Sequence, residues 1–156
     1  MSVPAGHPQK IFSAKISLEV LQMFIAGFSK ELQEKFLNLA YTMVYADGRL
    51  DEREQQIFAG YGVEVDPSID MSQVHAVDFA AELSAFDECT AIDKQKIFFE
   101  LYAIALIDES YPDAEKVLVE SAKDRFNISD DKVADMGAAL KNFIDAYKNL
   151  NTVVTE

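Results

Sequence analysis

An acidic turn that occurs twice constrains this chain more than any other feature. The first copy reads Ala46-Asp47-Gly48-Arg49-Leu50-Asp51-Glu52-Arg53-Glu54, and the second Ile107-Asp108-Glu109-Ser110-Tyr111-Pro112-Asp113-Ala114-Glu115. Each copy reads as an apolar helix ending on Asp, a short turn, and a new helix with Glu near its start. The offset is shared by both acids: 108 − 47 = 61 and 115 − 54 = 61. Two matched corners of this kind can gather Asp47, Glu54, Asp108 and Glu115 around one spot. Carboxylates at close quarters repel unless protons, basic side chains or a cation compensate.

The rest of the chain is punctuated for helices. From about Ser17, Leu18, Leu21, Ile25 and Phe28 recur at three- and four-residue steps. Ser29 suits the N-cap of a second helix running to about Ala46, with Leu32, Phe36, Leu39 and Met43 as its apolar stripe. Asp51 opens a short third helix, with Glu54 at capping-box spacing. Further helices are predicted over about 72–86, 91–107 and 112–126. Ile97, Leu101 and Ile104 share a face of the second of these, and Pro112 suits the first turn of the third. The last helix opens at Ser129 or Asp130 and carries Val133, Met136, Leu140, Phe143 and Tyr147, a stripe of the kind that more often faces a core than a partner. Gln9 to Ile16 is the one strand candidate. The expected fold class is all-α, a single-domain bundle of about seven helices in two pseudo-symmetric halves. Residues 1–16 read as an N-terminal arm and 17–150 as the helical domain.

Charge narrows the partners. With 14 basic and 27 acidic residues the formal charge is −13. Nucleic acid and anionic membrane surfaces are disfavoured, because both are bound by clustered Lys and Arg. Cations and basic protein partners are favoured. Cys89 is the one cysteine, so no intrachain disulfide forms, and neighbouring acids work against a reactive thiolate. The N-terminus lacks an apolar signal core, and Leu101 to Ile107 is too short to span a bilayer. A cytoplasmic location without membrane insertion is the expectation, with oligomeric state open.

Oxygen-only ligation by the four acids would suit Ca²⁺ or Mg²⁺, with Mn²⁺ also possible. The EF-hand pattern fails, since Gly48 directly follows Asp47 and the twelfth position is Phe58. His7 and His75 form no Glu-x-x-His pair, and no Cys/His cluster suits zinc. No nucleophile elbow or phosphate-binding loop is present, so no enzyme activity is expected. The competing reading is local: Asp-Gly is ordinary turn chemistry, and Glu is favoured in a first helical turn by capping and by the helix dipole. On that reading the chain is an interaction scaffold and the acids are caps.

The segment Leu39 to Glu54, with its apolar helix ending in Ala46-Asp47-Gly48, an apolar Leu50 and Glu54 in the next helix, resembles the TerB-like family known from tellurite resistance. Ala105-Leu106-Ile107-Asp108 through Glu115 is similar to that family's second motif, although Glu109 replaces the Gly and Pro112 stands where Asp51 does. The resemblance implies an all-helical, pseudo-twofold fold with an acidic metal site. By it, Asp47 and Glu54 belong to one half-site, and Asp108 and Glu115 to the other. It further implies a stress-response role alongside a protein partner, without an enzymatic reaction.

Overall fold

Ser29 behaves as its position in the sequence demands. Its Oγ accepts the Leu32 N–H at 3.3 Å and starts the first long helix. A computed structural model describes residues 24–46, 48, 52–107 and 113–156, with 52–54, 57 and 107 described by backbone alone. These residues form six α-helices: α1 (Lys30–Val44), α2 (Glu52–Glu64), α3 (Phe79–Leu83), α4 (Ala91–Ile107), α5 (Asp113–Arg125) and α6 (Asp130–Thr155). Short 3-10 turns stand at Ile25–Gly27, Met71–Gln73 and Ser84–Phe86, and no strand occurs among the described residues. The fold is all-α.

Among the described residues there are six helices, against about seven expected for the chain. Of the first predicted helix, residues 17–23 lie outside the described residues, as does the strand candidate Gln9 to Ile16; the remainder is the 3-10 turn at Ile25. The helix predicted over 72–86 shortens to α3. The physical reason lies on α1, whose polar side chains bond the backbone that precedes α3. Asn38 Oδ1 accepts the His75 N–H at 3.2 Å and Thr42 Oγ1 accepts the Val77 N–H at 2.9 Å. Those bonds hold the segment extended until Asp78 caps α3 at the Ala81 N–H, 3.2 Å away.

The core sits around α1 and α4, which pack directly on each other, with α5 against both, α3 against α1 and α5, and α2 against α1. Phe36, Leu39 and Met43 of the predicted α1 stripe are fully buried. Ile97, Leu101 and Ile104 of α4 are buried as their spacing predicts, and Phe98, Ala103 and Ala105 are buried beside them. A helix apolar on every side belongs inside.

The exit from α5 is set by one residue. Asn127 takes φ 55°, and the Ile128 N–H reaches back to Lys123 O at 3.0 Å. This is a Schellman closure, in which a left-handed residue satisfies the last carbonyls of a helix. Ser129 Oγ then accepts the Lys132 N–H at 3.1 Å and starts α6. That helix is the outermost. Leu140 is its one buried residue, with Val133, Met136, Ile144 and Tyr147 half-buried against the core.

Candidate functional site

The helices flanking the two turns match in where the following helix begins and differ in where the preceding one ends. Helix α1 stops at Val44, three residues before Asp47, and helix α4 stops at Ile107, one residue before Asp108. Glu54 is the third residue of α2, and Glu115 is the third residue of α5. The first corner closes through the Ala46 N–H to Met43 O at 3.1 Å and the Gly48 N–H to Tyr45 O at 2.8 Å. Gly48 has φ 80°, and a Cβ there would meet nothing within 4 Å. The backbone dihedral, and not crowding, is what selects glycine.

Of the four predicted carboxylates, Asp47, Asp108 and the side chain of Glu54 lie outside the described residues. Glu115 is described, and it is buried, 5% exposed in the first turn of α5. Among the described residues no group of three or more His, Cys, Asp or Glu is placed to hold a metal ion. His75 is exposed, with its Nδ1 at 2.8 Å from Gln73 O. Cys89 is half-buried, and burial, reinforced by Asp93, raises its thiol pKa.

Sequence reasoning missed a buried polar centre. Glu100, on the inward side of α4, is fully buried. Its Oε1 accepts the Phe24 N–H at 2.9 Å, and its Oε2 accepts from the Tyr61 hydroxyl at 3.4 Å. Burial, then the Glu100 charge and bond, push the Tyr61 phenol well above its ordinary pKa, so it stays a donor. Gln33, also buried, donates to Ile25 O at 3.2 Å and Phe28 O at 2.9 Å, and accepts the Asp66 N–H at 2.7 Å. Together these groups pin residues 24–28 to the bundle. The one signal in the sequence was a Glu on the apolar side of a helix, which needs partners if buried.

An apolar groove of about 430 Å³ was missed as well. It lies between α4 and α6, lined by Ile92 and Phe99 on one side, Met136, Ala139 and Phe143 on the other, and Phe24. Phe24 meets Phe99 edge-on, ring centres 5.7 Å apart. Gln95 and Lys96 supply its polar rim. Ile92 and Phe143 are 65% and 40% exposed. Its signal was Ile92 and Phe99, seven residues apart on a second face of α4.

Comparison of the chain with protein-family models, curated proteins and solved structures returns no match. No described helix is long and apolar enough to cross a membrane.

Proposed function

We propose that this chain is a non-enzymatic acidic helical module that binds a divalent cation, Ca²⁺ or Mg²⁺, through carboxylates on its two helix–turn–helix corners. The reading follows the TerB-like resemblance, and with it a role in a stress response of the tellurite-resistance kind. What supports it is the shared spacing of the helices that follow the two turns. Each begins where a long core helix stops, and each continues into a helix whose third residue is Glu. The helix starts keep the spacing of the repeat, 113 − 52 = 61. The burial of Glu115 adds to the case, since a carboxylate withdrawn from water is favoured by a neighbouring cation.

Metal-stripped protein titrated with Ca²⁺ or Mg²⁺ tests the reading. The expected gain is about 2.7 kcal/mol of stability at 100 times the dissociation constant. Asp47→Asn and Asp108→Asn weaken that gain. Melting curves that coincide in chelator and in excess metal overturn it.

The second reading, an interaction scaffold whose acidic turns serve as caps, draws on the apolar groove between α4 and α6. It requires no metal dependence.

A further inference from the structure

We draw no further inference here: the strongest candidate, the apolar groove between α4 and α6 together with exposed Phe143, Leu150 and Val153 on the outer face of α6, carries nothing because nothing in the structure shows what covers it.

Discussion

Helices α4 and α6 are both rich in apolar residues, and they dispose of them in opposite ways. Helix α4 buries Ile97, Phe98, Leu101, Ala103, Ile104 and Ala105, with Glu100 enclosed among them. Helix α6 is nine residues longer, 26 against 17, and buries Leu140 alone. The difference is geometric. Helix α4 is packed on by two long helices, α1 and α5, and lines the groove with a third side. Helix α6 lies on one face of the bundle, so that among the described residues Phe143, Leu150 and Val153 stay exposed. Apolar content therefore does not rank helices by their weight in the fold. The number of sides occupied does.

The comparison breaks most directly at the two buried leucines. Leu101→Ala removes a side chain enclosed on all sides, where neighbours cannot collapse into the void, and is expected to cost about 3–5 kcal/mol. Leu140 is 7% exposed beside an open groove, so Leu140→Ala is expected near the lower end of the range, about 2–3 kcal/mol. Denaturant unfolding of the two variants checks the order. Equal losses would make α6 as integral to the core as α4.

How far this architecture was legible follows from the same contrast. The α1 and α4 cores were readable because a three-four apolar rhythm is local, and Phe36, Met43, Leu101 and Ile104 lie inside as the rhythm demands. The α6 stripe was only half readable. Val133, Leu140 and Tyr147 face the core, but Phe143, read as part of one stripe with them, lines an open groove. Core-facing and groove-facing residues set side by side on one helix look like a single broad stripe in the sequence. Residues 74–78 were misread because what holds them extended, Asn38 and Thr42, lies more than thirty positions away in the chain. Of the candidate site, the helix ends around both turns were legible from their punctuation, and the burial of Glu115 was not. Burial of a polar side chain depends on what the other helices bring to it.

A smaller effect sharpens the role of the α5–α6 connection. Ser129 caps α6 through the Lys132 N–H at 3.1 Å, and Asp130 and Asp131 add negative charge to the first turn. Ser129→Ala is expected to cost about 1 kcal/mol. Because α6 is seated on one face only, hydrogen exchange in its first turns should rise while α4 keeps its protection. Equal acceleration in both helices would show that α6 opens only with the whole bundle.

The smallest expected effect concerns the tie between the end of α5 and the turn that precedes α4. Arg125 holds Asp87 with both ends of its fork: Nε donates to Oδ1 at 2.9 Å, and the Arg125–Asp87 ion pair closes the other arm. The bond to Arg125 holds the Asp87 carboxyl below its ordinary pKa, with the guanidinium charge and Lys94 acting the same way. A depressed folded-state pKa means the unfolded chain takes up its proton first. The stabilisation is therefore present above the unfolded value, near 3.9, and is lost as pH falls through the folded one. Both side chains are more than two-fifths exposed, 43% for Arg125 and 42% for Asp87, so water and salt screen the pair and its effect on stability is modest. Asp87→Asn should lower the melting temperature slightly at neutral pH and low salt. That difference should shrink toward zero as the pH drops below about 4, and shrink again in high salt at neutral pH. Melting curves of the two proteins recorded across pH check this. A difference that persists unchanged in acid would mean that Asp87 acts through its shape and hydrogen bonding, and that the α5 tie does not depend on charge.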